Sequence, residues 1–546
     1  MPRETRSPEF GPRDGNSVER RLSRRFQVSL VWEGALVGLV GGGVVTLYRL
    51  ALSGAERLLR GITGAAAGDV LLMGCWFCVL ALALLIICAL LRWEPHTSGS
   101  GIPQVDAEVL DRLDAPWSRI IPAKFAEGTL LAFSGLSLGR EGPSVQLGGM
   151  SGKAVSRALG RKRGEERLLV TCGAAAGMSA AFHAPLTGVL FTLEEIHKQF
   201  SAPLIISVMC SAVVSDFLVA QVVGIDPVVS LKFLQDLPHV DYLLVVALGL
   251  ACGALGALHN RGMFAIQNLY GLVQRHLPQA RLVIPFALAG VTAFVWPELM
   301  CGGDAILEIL ISPETPALGL LIALLAGKYL FTAICFGSGA PGGTLFPLVV
   351  MGGLVGGIFS LCGTALGISE HAFFPNFVAL GVAGLFSGVV RAPVTAVVMV
   401  FELTGSLDAL LSVSIVSILA YVTSSLTKTD AFYEHLLAGL VGVSADDSSI
   451  SGLSGEKDLD HVRVGAGSRL EGMLVRDVPW PDGVRLLLVE RAGTELVPTG
   501  ETRLCAADEL LFIVGTEAVG DARLKLGVMC ESRVERQGTS RQKPLA

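Results

Sequence analysis

Charge is what this chain has least of. Of its 546 residues 16% are charged and 51% hydrophobic, at a mean hydropathy of +0.60, whereas soluble domains carry about 25% charged residues. That shortage excludes a protein soluble throughout. A cleavable leader is not evident either: the first 26 residues are polar, with seven arginines against four acidic residues and no small-residue cleavage site after them. The arginine excess beside the first apolar run favours a cytoplasmic N-terminus. A net charge of −6 gives no basic surface for nucleic acid. The nine histidines show no ligand-like spacing, and most of the eleven cysteines sit in apolar or Gly-rich stretches. Cys75 and Cys78 form a CxxC inside an apolar run, which reads as packed thiols rather than a redox or metal pair. No metal and no other cofactor is expected.

Apolar runs and glycine are abundant. Residues 70–91 (VLLMGCWFCVLALALLIICALL) stay uncharged for 22 positions, enough for one helix to cross a bilayer at about 1.5 Å per residue. Further long apolar stretches recur up to residue 426. The 65 glycines concentrate there, in clusters such as GLVGGGVV (38–45) and MGGLVGGIF (351–359), where small residues let membrane helices approach closely. Gly and Pro interrupt several runs, as in broken or partial helices buried within a protein. The expected fold is an all-α polytopic membrane protein.

The chain also repeats itself. Gly139, Pro143, Gly148, Gly149 and Gly152 match Gly343, Pro347, Gly352, Gly353 and Gly356 at an offset of 204. Gly173, Ala184, Pro185, Thr187 and Glu194 match Gly381, Ala392, Pro393, Thr395 and Glu402 at an offset of 208. Two ordered matches at nearly equal offsets imply two related halves, about 28–225 and 240–430, within a membrane domain spanning 28–437 after a polar tail, 1–27. Such inverted repeats place a substrate site where interrupted helices meet. Beyond it, 438–460 reads as a Ser/Gly/Asp linker and 461–530 as a small α+β module, with strand-like VRLLLVERAG (484–493) and DELLFIVGT (508–516). Residues 531–546 have a disordered composition.

Four stretches bring Gly, Pro or a turn to the start of an apolar helix: SGSGIPQ (98–104), GREGP (139–143), GGTLFP (342–347) and, more weakly, DAFYEHLL (430–437). Such openers leave backbone N–H groups bare at the positive end of the helix dipole. Several of them converging within a membrane make a site for a small monovalent anion without burying a full positive charge. Glu141 stands at one opener, where a carboxylate is a functional candidate by default. An ion pair with Arg140 is the structural alternative, disfavoured because adjacent side chains on a helix diverge.

With these residues in view, the chain resembles the CLC family of chloride channels and chloride/proton exchangers. The resemblance rests on GSGIP (Gly99, Ser100, Gly101, Ile102, Pro103), GREGP (Gly139, Arg140, Glu141, Gly142, Pro143), GSGAPGGTLFP (337–347) and the intervening AAFHAPLTGVLFTLEE (180–195), in order over about residues 30–437. It implies chloride contacts from the Ser100 and Tyr433 hydroxyls and the amides of Thr344 and Leu345. It implies Glu141 as a gate that occupies the anion site when deprotonated and swings out when protonated. Leu345 stands where the family usually has phenylalanine. Glu194 has its repeat partner in Glu402 and reads as scaffold, while Glu195 has none and falls where exchangers keep an internal proton-transfer glutamate. Residues 488–516 resemble the C-terminal ligand-binding domain of potassium-transport regulators (TrkA-C type), with Ala507–Asp508 in place of the usual Gly-Asp. The expectation is a homodimeric chloride/proton antiporter in a bacterial inner membrane, both termini cytoplasmic, with an unidentified small ligand at the C-terminal domain. The alternatives are a passive chloride channel, an exchanger preferring another monovalent anion, and an intramembrane enzyme using Glu194 and Glu195 as a pair. The last lacks a nucleophile or metal ligand nearby, so no enzyme activity is expected.

Overall fold

The computed structural model describes residues 15–198, 202–224, 231–235, 237–276, 280–312, 314–442, 457–465, 468–491, 494–515 and 519–531. The chain divides into two units, Met1–Val441 and Gly442–Ala546. In the first, eight helices among the described residues are long and apolar enough to cross a membrane. Short helices lie between them: Ile102–Val109, Pro185–Phe191, Asp304–Ile311 and Pro393–Thr404. Each opens at a Gly or Pro turn, as the interrupted runs predict.

The repeat is visible in the packing. Glu141–Ala158 lies on Arg163–Phe182, and Leu345–Ala365 lies in the same way on Phe374–Val390. Glycine makes this possible: a Cβ at Gly148 would strike the Gly173 carbonyl oxygen, and one at Gly352 would strike that of its counterpart, Gly381. The halves also bond reciprocally. Gly139 N–H donates to Gly343 O at 2.7 Å and Gly343 N–H returns a bond to Gly139 O at 2.9 Å. These two glycines are each other's repeat counterparts, so the pairing is two-fold symmetric, as two inverted halves require.

Several boundaries differ from the sequence reading. The first helix begins at Gly15, inside the stretch taken as a polar tail. Phe432–Val441 runs past residue 437, and the first strand starts at Lys457, so both ends of the assigned linker are structured. Residues 443–456 and 532–546 lie outside the described residues. Cys75 and Cys78 are exposed rather than packed. They lie on the Val70–Trp93 helix, most of whose surface the rest of the chain leaves uncovered.

The second unit is a four-stranded antiparallel sheet in the order Lys457–Arg463, Glu509–Gly515, Arg485–Arg491, Thr494–Leu496, followed by the helix Val519–Glu531. Val464, Leu470, Val489, Leu504 and Leu510 form its core. Buried Asp508 accepts from Arg491 Nε and NH2 at 2.8 Å and from Cys505 N–H at 2.7 Å, which ties the turn at 505–508 to the central strand.

Candidate anion and proton site

All four openers found in the sequence are helix N-termini in the structure. Ser100 precedes Ile102–Val109, Glu141 is the first residue of Glu141–Ala158, Thr344 caps Leu345–Ala365, and Tyr433 lies in the first turn of Phe432–Val441. Gly101 caps the first of these helices at φ +97°, a left-handed conformation that a side chain resists. Gly142 lets the Ser100 segment press against the Glu141 helix, since a Cβ there would sit 2.5 Å from both Ser100 O and Oγ. This turn is anchored by buried Lys124, which donates to the carbonyls of Thr97 and Gly99 at 2.7 Å. Its repeat counterpart Lys328 does the same for Leu299 and Cys301.

The Tyr433 hydroxyl neighbours those of Ser100 and Thr344, so residues far apart in sequence face one point. Ser100, Thr344 and Tyr433 are all buried. Ser100 Oγ and Tyr433 OH have no partner in ordinary hydrogen-bond geometry. Buried hydroxyls in proteins are nearly always paired, so two left unmatched beside helix N-termini suit an anion ligand.

Glu141 is fully buried. Its Oε2 accepts from Phe346 N–H at 3.3 Å, and Oε1 has no hydrogen-bond partner. The resemblance implies the amides of Thr344 and Leu345 as chloride contacts; the amide that bonds the Glu141 carboxylate is that of Phe346. The Arg140 reading also needs correction. Its Nε comes within 3.9 Å of Glu141 Oε1, and its guanidinium lies over the Phe346 ring at 5.3 Å. Arg140 is the cap and Glu141 the first helical residue, so the divergence of neighbours within a helix does not apply. At 3.9 Å the contact is still not a hydrogen bond.

The second acidic pair separates into two roles. Glu194 accepts from the N–H groups of Val394 and Thr395 at 3.3 and 2.8 Å and from Thr395 Oγ1 at 2.6 Å. Its counterpart Glu402 accepts from the N–H groups of Leu186 and Thr187 at 2.8 and 2.7 Å and from Thr187 Oγ1 at 2.6 Å. Each carboxylate thus caps the short helix of the opposite half. Glu195 points elsewhere. It lies in a π-helical segment, Thr192–His197, where the other half continues as the α-helix Pro393–Thr404. The wider turn buries Glu195, whose Oε1 has no partner. Such π segments recur at functional sites. Its charged neighbours are Lys198, Glu434, Asp106 and Glu194, and Lys198 Nζ bonds Glu434 Oε1 at 2.8 Å. Sequence reasoning missed Asp106, which lies on the short Ile102–Val109 helix just after GSGIP, between Gln104 and Glu108. Among the described residues no cluster of His, Cys, Asp and Glu fits a metal ion.

The family model "Voltage gated chloride channel" matches residues 82–425, and the "TrkA-C domain" model matches 461–527. The chain is 30% identical to "H(+)/Cl(-) exchange transporter ClcA" of Vibrio parahaemolyticus, covering 78% of this chain and 92% of that one. It is 31% identical to the ClcA of Vibrio vulnificus, covering 75% and 89%. Among solved structures it superposes on "a slow cyanobacterial Cl-/H+ antiporter" with a TM-score of 0.71 and 26% identity, over 76% of this chain and 98% of that one. The ordered motifs, the two-fold exchange of helix caps and these matches agree: the chain belongs to the voltage gated chloride channel (CLC) family and ends in a TrkA-C domain.

Proposed function

We propose that this protein exchanges chloride for protons across a membrane. The observation that carries the reading is the meeting of unmatched Ser100 and Tyr433 hydroxyls with the Thr344 and Glu141 helix starts, beside a carboxylate held by the Phe346 amide. Hydroxyls and amides offer partial positive charge without a fixed cation, which suits a small monovalent anion that must also leave. A deprotonated Glu141 competes for that charge as a tethered anion. Once protonated it loses its claim on the amide, and the path opens. Glu195, buried and unmatched, is the internal group that supplies or accepts the proton. Glu194 is occupied in capping the other half, so the two glutamates do not form a working pair, and transport is a better reading than catalysis. The relatives named as exchange transporters are bacterial, which supports a bacterial membrane; an inner-membrane homodimer with cytoplasmic termini belongs to the same proposal.

The test is proton movement in liposomes under a chloride gradient. Uphill proton pumping is the expected result. Chloride flux with no proton movement would identify a channel instead.

A further inference from the structure

At the Glu195 end of the pathway, nearly every charge has a partner. Glu194 is held by the Pro393–Thr404 helix start. Lys198 and Glu434 hold each other at 2.8 Å. His435 pairs with Asp430, His197 bonds Thr171 Oγ1, and Arg167 donates to the Val109 carbonyl. Lys153, on the helix packed behind, is taken by Glu108 and Asp114. Two carboxylates are left over. Asp106 is 3% exposed and Glu195 6%, each has an oxygen without a hydrogen-bond partner, and each lies within charge–charge reach of the other. Asp106 is on the Ile102–Val109 helix, which packs against both the Glu195 segment and the Phe432–Val441 helix that carries Tyr433.

Around Glu195 stand three further carboxylates, Asp106, Glu434 and Glu194, and one ammonium, Lys198; that ammonium acts on both buried carboxylates, but its hydrogen bond goes to Glu434. Two buried carboxylates on packed elements, each with an unmatched oxygen and within charge–charge reach in a low-dielectric interior, repel, so one takes up a proton more readily than it would alone. We propose that Asp106 is a second proton-holding group, which titrates with Glu195 as a coupled pair and sets the pH at which protons enter the pathway. The step is a proton transfer only. The pair takes one proton from the aqueous side, passing from two negative charges to one, and returns to two when that proton moves on towards Glu141. Apparent titration belongs to the pair rather than to either residue. Glu195 lies within charge–charge reach of Tyr433, so the pair's charge is also felt at the proposed chloride site. This assignment rests on the exchange reading and deepens it.

The test uses the full chain in liposomes, with chloride-driven proton flux and chloride flux both followed against pH. D106N removes the like charge beside Glu195, so the proton-flux profile should move to lower pH by about one unit. E434Q frees Lys198 to neutralise the pair and should shift the profile the same way. K198M should shift it to higher pH. A folded D106N with the wild-type profile overturns the proposal. If D106N does not fold, the absence of opposite shifts in E434Q and K198M overturns it. Wild-type protein that moves no protons would refute exchange, not the pair. Infrared titration then decides: a pH-dependent protonated-carboxyl band that moves to lower pH in D106N supports the pair, and one that titrates unmoved in D106N overturns it.

Discussion

Glu141 and Glu195 carry the same functional group, and the fold gives them different work. On the proposed exchange reading Glu141 competes with chloride for backbone amides, so replacing its charge should act on both ions at once. Glu141→Gln should give chloride flux that no longer depends on pH and moves no protons. Glu195→Gln leaves the gate titratable but removes the inner proton stop, so chloride flux should persist with its pH dependence while coupling falls by at least about tenfold. Measuring both fluxes in both variants separates the roles, and normal coupling in Glu195→Gln would remove Glu195 from the pathway. These two glutamates were legible because a carboxylate in an apolar context is costly enough to draw attention. The Phe346 amide was not, since an amide leaves no mark on a side-chain pattern and only the fold decides which one faces Glu141 Oε2. Asp106 was visible as a residue, but its unmatched oxygen arises from three elements meeting and has no local signature.

At the level of elements, the exchange of caps between halves makes a specific claim on stability. Glu402 satisfies two amides and a hydroxyl at the start of Pro185–Phe191, a helix too short to hold itself. Glu402→Ala strands those donors and should cost roughly 1–3 kcal/mol, read as a lower unfolding temperature in detergent. The proton-to-chloride ratio of the surviving protein should not change, because Glu402 touches neither ion. The same reasoning applies in the small domain. Ala507 adopts φ +68° where related domains usually have glycine, a conformation that costs a residue with a Cβ about 1–2 kcal/mol. Ala507→Gly relieves that strain and gives back part of it as unfolded-chain entropy. A net gain of about 0.5–1 kcal/mol should appear as slower hydrogen exchange across Glu509–Gly515. Element starts were readable from Gly–Pro openers, while ends were not: Phe432–Val441 continues through residues whose Ser/Gly-rich sequel suggested a linker.

For the molecule as a whole, the two-fold relation of the halves could be read from the sequence because equal offsets survive divergence better than residue identities do. The pairing of Gly139 with Gly343 then follows from symmetry, since counterparts near a two-fold axis meet each other. The asymmetry could not be read so easily: the π segment that buries Glu195 exists in one half only, and a single unmatched glutamate was its trace. The proposed exchange reading falls on that break in symmetry, with one half supplying the proton site and both supplying the anion site. The second unit stands outside this arrangement, because the repeat is complete before it begins. Its removal should therefore leave transport intact, provided the cut respects Tyr433. Truncation after Gly442 keeps the whole Phe432–Val441 helix and should give a folded protein that still couples protons to chloride. Truncation before Phe432 deletes the Tyr433 hydroxyl and should weaken chloride binding, measured by calorimetry, even where the protein still inserts. If the cut after Gly442 also abolishes coupling, the TrkA-C domain is part of the transport machinery rather than a regulator attached to it.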